Sequence, residues 1–245
     1  MKLKLISCEI IYREICALVA RSRNQVDVQF LPKGLHDMGS PLMRQRLQEA
    51  IDAVEESYDA VLLGYALCGN GVAGVKARRH PVVLPRAHDC ITFFMGSKER
   101  YLEYFQNNSG VYFRTTGWIE RAQALDQLSV QRTHSLGADF QKLVEKYGEE
   151  NARYLWEQIG NTLNHYRKLA FIEMGVEPDG SFEQRAREEA ANRKWDFEKI
   201  PGDLSLLRAL VEGEWNEDRF LIVQPGQKIV MLYDERIIGV EPAND

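Results

Sequence analysis

From Tyr58 to Tyr65 the chain reads YDAVLLGY, apolar at nearly every interior position. A strand with one wet face alternates polar and apolar side chains. A run without that alternation belongs in a sheet covered on both faces, and such sheets are mostly parallel. Parallel strands need crossover connections, usually helices, and the flanking sequence supplies them. The pattern predicts a strand from Leu3 to Ser7, then a helix from Ile10 to Arg21 with Ile11, Ile15, Leu18 and Val19 on one stripe. Val26 to Leu31 alternates as a second strand, and Pro32-Lys33-Gly34 breaks it. Ser40 caps a helix that starts at Pro41 and runs to about Glu56. Beyond Tyr65, Gly69, Gly71 and Gly74 are expected to open a short helix. A strand over His80 to Leu84, a helix over Ser97 to Phe105 and a strand over Val111 to Arg114 follow.

The alternation defines the expected fold class: α/β, with two Rossmann-like lobes, mostly parallel sheets and a helical bridge. Residues 1–120 form an N-terminal α/β lobe. Residues 121–167 form the bridge, where Leu143, Tyr147, Tyr154, Leu155, Ile159 and Leu163 fall on helical stripes. Residues 168–245 form a C-terminal α/β lobe, in which two strands, 220–224 and 228–233, join through Pro225-Gly226. A chain of 245 residues has ample material for such cores.

The net charge of -5 argues against nucleic acid or an anionic membrane surface as partner. No apolar run is long enough to span a bilayer. The start, MKLKLISCEIIYREI, is broken by Glu9, Arg13 and Glu14, unlike a secretory leader. The expectation is a cytoplasmic protein. Its four cysteines are too few for a disulfide framework, so they are thiols, metal ligands or redox groups.

Three of them follow predicted strands: Cys8 after KLKLIS, Cys68 after YDAVLLGYAL and Cys90 after HPVVLPRAHD. The carboxyl ends of parallel strands share one edge, where ligands bind, so residues far apart in sequence can meet there. Three thiolates suit zinc or an iron–sulfur cluster. His88, two residues from Cys90, points the same way if the strand persists that far. The plain alternative is that these are small core residues, as free cysteines often are. Cys16, beside Ile15 on the helix, is assigned to the core.

Gly69 and Gly71 belong to GNGVAG, which has the spacing of a dinucleotide-binding turn but no acidic residue at the usual distance; a tight turn is the simpler reading. Arg86 and Lys98 are candidates to hold an anion. Ser97 caps a helix whose start faces the same edge, and His88 is a candidate acid or base. An ion pair is the alternative for Arg86. His36, after the second strand, is a spare ligand. Trp118, following Gly117 after a strand, is the one tryptophan that the pattern brings near this edge.

The blocks SCEIIYREI, FLPKGLHD, LLGYALCGNG, PRAHDCITFFMGSKERY and TTGWIE, continuing through YGEENARYL, NHYRKLAFIE and PGDLSLLRALVEGEW, resemble an uncharacterised domain-of-unknown-function family, number sixteen thirty-eight. The resemblance covers nearly the whole chain. It implies a setting of anaerobes, with genes beside corrinoid-dependent methyltransferases, and so a role near methyl-transfer metabolism. It also implies that the cysteine blocks, landing on Cys8, Cys68 and Cys90, form one site. Some relatives place the histidine directly before the cysteine; here Asp89 intervenes, which weakens His88 as a ligand.

The expectation is therefore a metal-dependent α/β protein, an enzyme of transferase or lyase type acting on a small anionic substrate. Its metal centre would be zinc, with a 4Fe–4S cluster as the alternative. A second reading is an accessory module that carries a corrinoid, metal or metabolite to a methyltransferase or corrinoid protein. A third is a thiol redox protein using Cys68 and Cys90, against which the absence of a CxxC pair counts.

Overall fold

The structure is a computed structural model that describes residues 1–36, 39–121, 144, 148–149, 153 and 165–243. Most of the expected bridge, 121–167, lies outside the described residues. In chain order the first part runs β1 (Lys2–Cys8), α1 (Tyr12–Val19), β2 (Gln25–Leu31), α2 (Ser40–Asp52), β3 (Ala60–Gly64), β4 (Lys76–Ala77) and β5 (Val82–Pro85). It continues with α3 (Cys90–Met95), α4 (Lys98–Asn107), β6 (Val111–Arg114) and α5 (Thr116–Arg121). The later part holds β7 (Lys168–Glu173), α6 (Ser181–Arg193), β8 (Asp196–Pro201), α7 (Ser205–Glu212), β9 (Phe220–Val223), β10 (Gln227–Met231) and β11 (Ile238–Pro242).

The first sheet has the order β2-β1-β3-β5-β9. Its first four strands are parallel, and β9 closes the edge antiparallel to β5. All of β3 and β5 is buried, which is why their sequences show no alternation. The crossover helices bury the stripes read from the sequence: Ile15 and Leu18 on α1, and Met43, Leu47 and Ile51 on α2. The chain leaves β1 to one side to build β2, then returns to the other side of β1 to build β3. That reversal is a topological switch point, where connections diverge and leave a crevice at the strand ends.

The second sheet, β6-β7-β8, is wholly parallel. It packs a satellite core of Leu169 and Phe171 against Phe182, Ala186 and Ala190 of α6. A third, small sheet, β11-β10-β4, is antiparallel. The α/β class holds, but the sheets are not divided at residues 120 and 168. β6 pairs with β7 across the bridge, and β9 returns to the first sheet. β9 and β10 are joined through Pro225-Gly226 as expected, and each belongs to a different sheet.

Local departures have local causes. Residues 68–74 form turns rather than a helix, because Cys68, Gly69 and Asn70 all take positive φ. Ser40 is the first residue of α2 rather than its cap, and its hydroxyl donates to the Gly69 carbonyl at 2.7 Å. Cys16 is exposed, contrary to its assignment to the core, because it sits opposite the buried side of α1. No helix among the described residues is long and apolar enough to cross a membrane.

Candidate functional site

Cys8 is the last residue of β1, beside the switch point. Cys68 follows β3 by four residues, and Cys90 opens α3 beyond β5. These three strands are adjacent, so the three thiols share one edge. The strand ends approach closely because Gly64, where a Cβ would strike the Ser7 side chain, leaves room for β1. Pairing of β3 with β5 continues past both strands: the Leu67 N–H donates to Ala87 at 2.9 Å and the Cys68 N–H to His88 at 2.9 Å. This ties the Cys68 turn to the segment that leads into Cys90.

Cys90 feels both other thiols, and Cys68 feels Cys8. Burial pushes Cys8 up to about 12, with the charge of Lys33 opposing. Burial does the same to Cys68, with Cys8 and Asp89 adding to the rise. Burial raises Cys90 well above the usual thiol range, and the charges of Asp89, Cys68 and Cys8 add to it. These mutual effects place the three sulfurs in one electrostatic neighbourhood. Among the described residues, however, no three His, Cys, Asp or Glu side chains stand as a ready ligand set for a metal ion. The thiols share a crevice without closing on a common point.

Four further side chains surround the thiols. Tyr65, just past β3, is 1% exposed, and its hydroxyl has no hydrogen-bond partner among the described residues. Burial raises its pKa first, and the nearby Cys8 and Cys68 raise it further. Leaving such a group unsatisfied costs about 1–3 kcal/mol. The His36 ring stacks on Tyr65 with centroids 6.0 Å apart. Trp118 lies over the site because Gly117 lets α5 seat on the Ile10 backbone, where any Cβ would strike the carbonyl oxygen. The Trp118 indole N–H faces the Cys90 sulfur, whose acidity it favours, without closing a hydrogen bond of normal geometry. The buried Lys33 places its ammonium 5.4 Å from the Trp118 ring, and its N–H donates to Glu9 Oε1 at 2.8 Å.

Cys68 stands in the left-handed region at φ 47, followed by Gly69 at 62 and Asn70 at 72. A non-glycine residue there costs about 1–2 kcal/mol, and such cost gathers at functional turns.

Other candidates are placed differently. β5 ends at Pro85, so His88 and Cys90 are not on one strand: Cys90 begins α3, while His88 is exposed. Asp89 caps α3 through the Ile91 N–H at 2.9 Å and accepts from the Tyr101 hydroxyl at 3.0 Å. His88 and Asp89 line a cleft of about 500 Å³ together with Tyr101, Leu102, Phe105 and Ile237. The charges in that cleft are mixed, Lys98 against Glu99 and Glu235.

Arg86 serves the fold. Its guanidinium donates to the carbonyls of Glu217 (2.7 Å), Arg236 (3.0 Å) and Ile238. Lys98 likewise donates to the Glu235 carbonyl at 3.0 Å. Ser97 caps α4, accepting from the Arg100 N–H at 3.1 Å. Gly71 gives its space to the Met43 side chain, whereas Gly69 faces open space. Arg13 forms a two-pronged pair with Glu120, at 2.7 and 3.1 Å. Tyr65 and Lys33 escaped the sequence reading, Tyr65 as part of a strand run and Lys33 as part of a breaker.

Comparison with curated proteins and with solved structures finds no match. The family described as "Protein of unknown function (DUF1638)" matches over residues 30–211, which takes in Cys68, Cys90, Tyr65 and Trp118, and the chain belongs to that family.

Proposed function

We propose that the crevice at the switch point holds a soft metal centre on Cys8, Cys68 and Cys90, zinc or a 4Fe–4S cluster, and that a small molecule reacts there. One observation carries the reading: three thiols from three adjacent strand ends lie within electrostatic reach of each other and of a buried tyrosine hydroxyl unpartnered among the described residues. Sulfur donors suit either centre. The donor chemistry fits, while the spacing asks for movement. The Cys68 turn, held in left-handed backbone, is the element that closes the set. A thiolate-bound metal lowers the pKa of a bound water or thiol. A thiol that accepts a methyl group is the substrate that the methyl-transfer expectation would add.

The chain's own residues have distinct tasks in this reading. The Tyr65 hydroxyl hydrogen-bonds the substrate atom nearest the centre. Trp118 and Lys33 roof the crevice and exclude water. His88, exposed and lining the neighbouring cleft, exchanges the proton with solvent. Substrate enters along the Tyr101 and Phe105 wall, which favours a molecule with an apolar part over a bare anion.

The test is anaerobic purification followed by metal analysis and absorption spectroscopy, with reconstitution in zinc or in iron and sulfide. The expected result is stoichiometric metal in the wild type and in Cys16→Ser, and its loss in Cys8→Ser, Cys68→Ser and Cys90→Ser with the fold kept. A folded wild type that takes up no metal, or full occupancy in Cys68→Ser, overturns the proposal.

A further inference from the structure

The sequence placed anion binding at the thiol edge, on Arg86 and Lys98, but both donate to backbone carbonyls. The uncommitted arginines lie elsewhere. A groove of about 630 Å³ runs between the exposed side of α1, the length of α7 and Gly175-Val176 after β7. That volume is ordinary for a small-molecule site. Four arginines line it, Arg13, Arg21, Arg23 and Arg208, against two carboxylates, Glu212 and Glu214. Their engagements differ. Arg13 is held in its fork by Glu120. Arg23 stands 3.7 Å from Glu212, a loose contact on a side chain 89% exposed. Arg21 and Arg208 make no side-chain hydrogen bond or ion pair among the described residues. One comes from the chain just past α1 and the other from α7, so two free planar forks converge from two elements on one cavity. The floor between them is apolar, with Leu18, Val176, Leu204 and Val211.

We propose that this groove, separate from the thiol crevice, binds a small phosphorylated organic molecule, its phosphate held by Arg21 and Arg208 and its organic body on the apolar floor. The chemistry decides the class. A guanidinium fork matches phosphate with two parallel hydrogen bonds. A phosphate monoester carries nearly two charges and three acceptor oxygens, enough for two forks at once, whereas a single carboxylate satisfies one. The apolar floor would go uncovered by inorganic phosphate.

Cys16 lines the same groove and is exposed, so it reports occupancy without entering the argument. The experiment measures the rate of Cys16 alkylation by iodoacetamide in the full chain, by peptide mass spectrometry, with pyrophosphate or ADP as probe. Isothermal titration of both probes runs in parallel. ADP is expected to slow alkylation and to bind more tightly than pyrophosphate. The double variant Arg21→Ala, Arg208→Ala is expected to lose about tenfold or more in affinity, as loss of charge-assisted bonds does. Neither side chain makes a hydrogen bond or ion pair among the described residues, so the variant is expected to keep its fold; Arg21→Lys, Arg208→Lys keeps the charge without the fork and falls between. Three results each overturn the proposal: no binding of either probe, affinity unchanged in the alanine double variant, or equal slowing by potassium chloride at matched ionic strength.

Discussion

The charge state of Glu14 bears directly on stability. Glu14 is fully buried on α1, and neither carboxylate oxygen has a hydrogen-bond partner among the described residues. Burial lifts its pKa from 4.5 to about 7; the Glu177 and Glu120 charges add to the rise, and Arg13 opposes it. Below pH 4.5 both folded and unfolded chains hold the proton. Above that the unfolded chain releases it first, so stability falls as pH rises and the loss is complete beyond pH 7, amounting to about 3 kcal/mol. Glu14→Gln is therefore expected to raise the melting temperature at pH 8 and to leave it nearly unchanged at pH 4.5, read by calorimetry at both. Equal shifts at the two pH values would refute the assignment. Glu14 sits among Tyr12, Arg13 and Cys16, where the sequence suggests a solvated face. Its burial follows from helical phase: it neighbours Ile15 and lies four residues before Leu18, so it shares the stripe that those two define. Charge composition hides this, while periodicity alone points to it.

At the scale of elements, the site depends on how closely α5 seats against the turn after β1. Gly117→Ala drives a methyl group into the Ile10 carbonyl oxygen. Backbone has nowhere to yield, so a loss of about 2–3 kcal/mol is expected, in the range of overpacking. Displacing α5 also lifts Trp118 from Cys90, so the Cys90 thiol should alkylate faster in the folded variant. Denaturant melts and thiol trapping check the two effects separately. The strands and the thiol edge were legible because apolar runs and strand termini are local in sequence. The roles of Arg86 and Lys98 were not. Arg86 bonds carbonyls 131 to 152 positions away and Lys98 one 137 positions away. Periodicity tells which way a side chain faces, but not which distant backbone comes to meet it. The turn at Cys68 was likewise hidden: three successive left-handed residues were read as a helix start because glycine serves both.

For the whole molecule, Arg86 works as a clasp. It joins the end of the first sheet to the segment before β9 and to the turn between β10 and β11. Arg86→Ala leaves three carbonyls without their charged donor. The expected result is faster amide exchange across residues 227–242 with little change in β1 and β3, and a stability loss of about 2–3 kcal/mol. Uniform loosening of the first sheet would contradict it. The wider arrangement also has a consequence for biosynthesis. Among the described residues β5 pairs on its outer side with β9, so a chain emerging from the ribosome keeps the edge of a wholly apolar strand waiting for that partner until Phe220–Val223 have been made. At about 5–20 residues per second that interval lasts on the order of ten seconds, long enough for two nascent chains on one message to pair edge to edge. Cells that make this protein in quantity are therefore expected to shield that edge with a chaperone until the last strand arrives.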